Sequence, residues 1–223
     1  MTYITSIPWK NVGKVRTTPK KRTGIVVDLR LCVGCHSCSL ACKTEHNVPL
    51  HCFRTRVRYL ERADNLTLKF FPLLCMHCQD APCLKACPCH AIIRLKDKTV
   101  IIDKDRCGSE KACVKACPYG AIYIDPETDK ADKCDLCAHR TVFGMEPACV
   151  NVCPTNALKY CDLDNPGDPV IIYAKKHGAK AFKEEAGTNP SVFYIGMEKW
   201  MEKQAGNGIQ LSSKEDEIIY VQK

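Results

Sequence analysis

The sequence predicts an α+β fold of duplicated, loop-rich modules, with small antiparallel strands and short helices. Three observations predict it. The phrase Cys-Pro-x-x-Ala-[Ile/Leu] occurs three times, starting at Cys87, Cys117 and Cys153. The β-prone triplets Ile25-Val26-Val27 and Val100-Ile101-Ile102 stand just ahead of cysteine groups. No apolar run approaches the roughly 20 residues a membrane helix needs, so no direct membrane span is expected. Recurrence every few tens of residues marks an architecture built by duplication.

Residues 1–24 hold six basic residues and no acid, and read as a solvated or partner-wrapping arm. The Ile25–Val27 strand then leads into the first cysteine group. From there to about residue 160 one theme repeats: short strand, cysteine cluster, one helical turn, short strand. Proline after the cysteine cannot continue a helix, so each turn stops there and the alanine and branched residue begin a strand. Residues 161–223 carry no further cysteine motif and read as a C-terminal partner-wrapping segment. Within it, 164–169 is a turn, Val170 to about His177 a helix, 187–190 a break and Ser191–Ile195 a strand. The last twenty residues are polar.

Eighteen cysteines in 223 residues imply a disulfide scaffold or a metal protein. A disulfide scaffold belongs to a short secreted chain with a signal peptide. The N-terminal stretch has no apolar h-region, no small-residue cleavage site and no twin-arginine pair. The expectation is therefore thiols kept for metal, on a chain with no export signal of its own. Its compartment stays open: periplasmic or membrane-associated through export with a partner, or cytoplasmic.

Four cysteine groups stand out: Cys32-x2-Cys35-x2-Cys38-x3-Cys42, Cys75-x2-Cys78-x4-Cys83-x3-Cys87, Cys107-x5-Cys113-x3-Cys117, and Cys134-x2-Cys137-x11-Cys149-x3-Cys153. Two residues between cysteines let a tight loop curl round one cluster and aim backbone N–H groups at its sulfurs. In every group the last cysteine lies four after its neighbour, which on a helix is one turn away on the same face. It is carried toward a second cluster, as the fourth cysteine of such a run is in bacterial two-cluster ferredoxins, so the groups work in pairs. Zinc would be favoured for a single Cys-x2-Cys pair. It needs four ligands per site and has no use for a swapped fourth cysteine, so the array reads as iron–sulfur. A 4Fe–4S core on four thiolates contributes roughly −2. Four such sites bring the formal charge of +8, which counts every thiol as neutral, to about zero. The basic surplus then compensates cluster charge, and no nucleic-acid partner is expected.

The third group departs from the pattern, with Glu110 where the spacing calls for cysteine. Three readings stay open: Glu110 ligates the fourth iron, the site holds a 3Fe–4S cluster, or the cluster is absent. The favoured one is an occupied site on Cys87, Cys107 and Cys113. Cys52, Cys89 and Cys161 fall outside every template and read as small buried side chains. Cys89, two residues after Cys87, is also a reserve ligand. His36 and His77 sit inside cluster loops as space-filling or solvent-facing residues, and Arg30, Arg106 and Lys133 are cations near first cysteines.

With these motifs the chain resembles the four-cluster iron–sulfur (beta) subunits of the molybdopterin, DMSO reductase-type, oxidoreductase superfamily. The resemblance runs from about Ile25 to Ile195. It rests on Ile25–Leu29 before Cys32-Val33-Gly34-Cys35, on Leu74–Cys83, on Ala116–Ala121, on Lys133–Arg140 and on Pro147–Cys149. Asp162–Pro166 and Ala186–Ile195 add to it. It implies bacterial-ferredoxin-like modules in which group one pairs with group four and group two with group three. One cluster would use Cys32, Cys35, Cys38 and Cys153; a second Cys75, Cys78, Cys83 and Cys117. The irregular third would use Cys107, Cys113, Cys87 and, on one reading, Glu110, as a 4Fe–4S cluster with a non-cysteine ligand or a 3Fe–4S cluster. A fourth would use Cys134, Cys137, Cys149 and Cys42. Residues 70–124 become a two-cluster module inserted into a discontinuous one, 25–69 plus 125–160. The implied partners are a large molybdenum- or tungsten-pterin catalytic subunit and a membrane quinone-reactive anchor or soluble carrier.

The function expected is single-electron relay, with no catalytic residue. No phosphate-binding glycine loop, nucleophile elbow or flavin or nicotinamide fingerprint is present. The alternatives are a polyferredoxin subunit of a formate dehydrogenase, hydrogenase or aldehyde oxidoreductase, a zinc-stabilised binding module without redox activity, and catalysis at an open-coordinate cluster.

Overall fold

A computed structural model describes residues 22–62 and 66–206. Most of the basic arm and of the polar tail lies outside the described residues. Helices and strands alternate in short pieces. They are β1 (Thr23–Asp28), α1 (Ser37–His46), β2 (Thr55–Arg62), β3 (Thr67–Leu74), α2 (Pro82–Ala86), β4 (Ile92–Arg94), β5 (Val100–Ile102), α3 (Ala112–Ala116) and β6 (Tyr123–Ile124). Then follow β7 (Ala131–Asp132), α4 (Ala138–Thr141), α5 (Ala148–Asn151), β8 (Leu158–Asp162), α6 (Pro169–Lys176), β9 (Lys180–Ala181), β10 (Val192–Ile195) and α7 (Lys199–Gly206). The fold class is the α+β one expected.

β1 is buried along its whole length, as a β-branched strand with neighbours on both sides must be. It sits inside a four-stranded sheet of order β8-β1-β10-β9. Ile25 lies opposite Tyr160 on antiparallel β8 and opposite Val192 on parallel β10. A Cβ at Gly24 would stand 2.2 Å from the Ser191 carbonyl oxygen, so only glycine allows this approach of backbones. At the far end of β1, buried Asp28 accepts from Arg30 at 2.9 and 2.7 Å and from the Tyr173 hydroxyl of α6 at 2.7 Å. Burial pushes this carboxyl up, but those hydrogen bonds hold it below its usual range.

Three two-stranded sheets complete the fold: β2-β3, β4-β5 and β6-β7. The β2-β3 hairpin, eight residues a side, is absent from the sequence reading, as is the ten-residue length of α1 where one turn was expected. β2 (Thr-Arg-Val-Arg-Tyr-Leu-Glu-Arg) alternates only as far as Arg58, and exposed Tyr59 followed by buried Leu60 reverses the phase. Packing supplies what propensity does not. Phe71 of β3 stacks on Tyr194 of β10 with ring centroids 4.6 Å apart, and the Tyr194 hydroxyl donates to Pro72 O at 2.9 Å. Segment 161–223, expected to wrap a partner, thus returns in part to this chain's own core: Val192, Tyr194 and Ile195 are fully buried.

Twelve cysteines are buried, and many of them lie in the same cluster as the apolar core. No two are joined as a disulfide among the described residues. No helix among them is long and apolar enough to cross a membrane.

Gly24→Ala should force β1 away from β10 and lower the urea midpoint of the loaded protein, at a cost of about 1–3 kcal/mol. Anaerobic denaturation followed by cluster absorbance measures it; an unchanged midpoint contradicts the β1–β10 register.

Candidate metal centres

Each cysteine group opens with a loop of one local form. The residue two after the first cysteine takes a left-handed backbone in all four: Gly34 (φ 67°), His77 (43°), Ser109 (64°) and Leu136 (53°). Backbone of alternating hand turns successive N–H groups inward and makes a concavity suited to an anion. The Leu136 amide donates to Cys134 Sγ at 3.4 Å. At Gly34 a Cβ would lie 2.3 Å from the Phe70 ring, so glycine is required there. Groups one and three also share a second left-handed residue, His36 (59°) and Lys111 (57°). Group three therefore has the backbone of group one, with Glu110 in the place of Cys35.

After each loop a short helix carries the chain onward. α1, α2, α3 and α5 hold Cys38, Cys83, Cys113 and Cys149, with Cys42, Cys87, Cys117 and Cys153 one turn later. The Cys-Pro turns repeat as well. The amides of His90, Gly120 and Asn156 donate to the carbonyls of Cys87, Cys117 and Cys153 at 3.2, 3.2 and 3.1 Å. All three residues are left-handed.

The thiols fall into four sets. One cavity is lined by Cys32, Cys35, Cys38 and Cys153. Another is lined by Cys75, Cys78, Cys83 and Cys117. Cys42 and Cys149 lie near enough to Cys134 and Cys137 that a thiolate on one would raise the pKa of another. Cys113 faces Cys87 and Cys107 in the same way. The sets adjoin: Cys149 feels Cys38 of the first set, and Cys134 feels Cys75 of the second. Glu110 is exposed. Cys52 is buried against Val48 and Tyr123, and Cys161 is buried under β1 with its Sγ 3.7 Å from Gly24 O.

Burial pushes most of these thiols up: Cys38, Cys78 and Cys113 to about 11, Cys42 and Cys83 to about 12, and Cys134 and Cys149 well above the usual value. Cys35, the exposed one, is instead lowered by hydrogen bonds from Ser37. Two buried cations stand beside the sets. Lys133 is 2% exposed and lines the second cavity. Its Nζ donates to the carbonyls of Val100 and Cys134. Arg54 lies near Cys134 and Cys42 and binds Asp132 through Nη2 at 2.9 Å and Asp135 through Nη1 at 3.1 Å. Asp132 also accepts from the Tyr123 hydroxyl at 2.7 Å. His46, at the end of α1, places Nε2 3.2 Å from Cys137 Sγ.

Of the cations flagged in the sequence, Lys133 alone is buried beside thiols. Arg30 is bound to Asp28, and Arg106 is exposed. His36 Nε2 lies 3.1 Å from the Tyr59 hydroxyl, and buried His77 accepts the Val100 amide through Nδ1 at 3.2 Å. Arg54, Asp132, Asp135 and His46 were not found by sequence reasoning. Arg54 and Asp132 are 78 residues apart, and His46 and Cys137 91 apart, with no motif to join them.

The residues fit 4Fe–4S clusters. Thiols gathered four to a cavity and joined in no disulfide can supply the ligands, and the left-handed loops aim amides at sulfur. A buried ammonium whose hydrogen bonds go to carbonyls is costly without a neighbouring anion. A thiolate-bound cluster beside Lys133 is that anion.

The chain matches the family model for the 4Fe–4S dicluster domain over residues 66–163. It is 38% identical over 187 residues to a subunit of the tetrathionate reductase of Salmonella typhimurium, covering 81% of this chain and 75% of that one. It is 33% identical over 224 residues to the arsenate respiratory reductase iron–sulfur subunit of a Shewanella species, covering 78% and 96%. With the thiosulfate reductase electron transfer subunit of Salmonella typhi it shares 44% over 142 residues, covering 61% and 74%.

Two outcomes are expected. Burial keeps the His46 imidazole below its usual pKa, so at neutral pH it is uncharged, and the tautomer with its proton on Nε2 donates to a Cys137 thiolate. His46→Phe removes that bond, worth roughly 1 kcal/mol. It should lower one cluster potential by up to about 40 mV, the one-electron equivalent of a bond made to the reduced cluster alone, in a redox titration followed by EPR; unchanged potentials contradict the contact. Because burial raises the thiol pKa values, protons compete well with iron. Iron release into a chelator should rise as the pH falls from about 8 to about 5, and a flat profile contradicts it.

Proposed function

This chain belongs to the family of 4Fe–4S dicluster electron-transfer subunits that serve molybdopterin reductases, and we propose that it conducts single electrons along a row of four clusters. The observation that carries the proposal is the adjacency of the thiol sets. Cys32, Cys35, Cys38 and Cys153 stand beside Cys42, Cys134, Cys137 and Cys149. These stand beside Cys75, Cys78, Cys83 and Cys117, through Cys134 and Cys75. Helices α2 and α3 each link that set to Cys87, Cys107 and Cys113, by a thiol at either end of one turn. We assign three regular 4Fe–4S clusters to the first three sets and an irregular one to the last.

A cluster supplies one-electron redox chemistry; the chain supplies placement, burial and hydrogen bonds to sulfur, which set the potentials. Lys133, whose hydrogen bonds go only to carbonyls, holds positive charge beside the second set, where added electrons would otherwise repel. The row reaches the surface at Cys35 and, at its other end, near half-exposed Cys107, so that electrons can enter at one end and leave at the other.

In this reading, 25–69 with 125–160 and the inserted 70–124 are the two modules. The packing of α1 on α5, of β1 on β8 and of α2 on α3 supports it, although the boundary at residue 70 falls within β3. The partner is a large molybdenum- or tungsten-pterin subunit, with a membrane quinone-reactive subunit or a soluble carrier at the far end. The relatives' names, subunits of tetrathionate, arsenate and thiosulfate reductases, support a reductase partner of this kind. The basic residues ahead of β1 and the polar tail, most of which lie outside the described residues, are the segments we assign to meeting it.

Anaerobically isolated protein should be brown, bleach with dithionite, contain iron and acid-labile sulfide for about four clusters and turn over no substrate alone. Affinity capture from its native host should bring down a large pterin-containing subunit. Trace iron in fresh anaerobic material, or substrate turnover by the chain by itself, would sink the proposal.

A further inference from the structure

The irregular set has three template thiols and an acid, yet a fourth thiol stands against it. Cys89 Sγ lies 3.6 Å from Cys87 Sγ and accepts the amide of Gly108 at 3.4 Å. A Cβ built at Gly108 would have Cys89 Cβ and Sγ as its nearest neighbours, both at 3.9 Å, so Cys89 lies directly over the cluster loop.

The duplicated design supplies its own reference. In the sister turn Cys153-Pro-Thr-Asn-Ala, the amide of the alanine, Ala157, donates to the ligand sulfur of Cys153 at 3.2 Å. Cys117 receives Ala121 in the same register. In Cys87-Pro-Cys-His-Ala the corresponding amide, Ala91, acts on Cys89. The chain thus departs from its own repeat at three neighbouring positions. Cysteine replaces Thr155 or Tyr119 in the turn, Gly108 replaces Val33 in the loop, and Glu110 replaces Cys35. The second removes a side chain from the space beside the first, and the third removes the regular ligand.

We propose that Cys89 supplies the fourth thiolate of the irregular cluster, in place of Glu110. This rests on reading the four thiol sets as cluster sites. Two thiolates on separate irons stand farther apart than the present sulfur–sulfur contact. Rotation about the single χ1 bond of half-exposed Cys89 provides the difference. On loading, the Cys89 proton leaves and an iron–sulfur bond forms, with no change of oxidation state. The competing role for Cys89 is that of Thr155, whose hydroxyl lies 3.9 Å from Cys153 Sγ without ligating.

Cys89→Thr tests the two against each other, because it installs the residue the sister turn already carries and leaves the fold intact. The loaded wild type, oxidised anaerobically, should show no 3Fe–4S EPR signal. Cys89→Thr should lose about one iron per chain and gain a paramagnetic 3Fe–4S species in the oxidised state. Cys89→Thr combined with Glu110→Cys should abolish that signal and restore the iron. A 3Fe–4S signal in the wild type, or a Cys89→Thr spectrum and iron content identical to wild type, overturns the proposal and leaves the electron relay standing. Colourless wild-type protein overturns the relay itself, and this proposal with it.

Discussion

The proposed relay depends on one spacing: two cysteines four residues apart, each assigned to a different thiol set. The first lies on a short helix; the second lies on the same helix in α1 but at or just past its end in α2, α3 and α5. On α1, which carries both Cys38 and Cys42, such side chains stand one above the other, about 5–6 Å apart at Cβ. A set cannot move without its neighbour while the helix holds. The separation of adjacent redox sites is therefore fixed by backbone geometry rather than by the docking of separate domains. For a protein whose chemistry is electron transfer between sites, that distance is the property most worth fixing.

The same constraint leaves the protein with an unusual interior. Cysteine occupies positions that leucine or valine would fill in another chain of this length, and the elements around it are too short to bury much apolar surface of their own. Loading with iron completes the core and introduces buried negative charge. Lys133 answers it locally, whereas the charge of Arg54 is already met by Asp132 and Asp135. The strongly basic composition answers it globally. Charge that looks surplus in the bare sequence is thus part of the interior's balance.

Duplication makes the irregular site interpretable. The third loop keeps the left-handed residues of the first, so its backbone is that of a cluster loop even though Glu110 has taken a cysteine's place. A thiol from the neighbouring turn leans over that loop. The repeat within one chain shows which side chains changed against an unchanged backbone.

The sequence by itself determined the chemistry: thiol spacing, the Cys-Pro stops and the β-branched strands ahead of them are local signals, and local signals survive without a structure. Fold class and the four cysteine groups were legible for that reason. Tertiary structure alone decided the β2-β3 hairpin, the return of β10 to lie parallel beside β1, the Arg54 and His46 contacts and the approach of Cys89 to Gly108. Apart from the hairpin, each joins residues at least 19 positions apart. Their meeting is set by how the modules pack, and packing across such distances leaves no periodicity or motif along the chain.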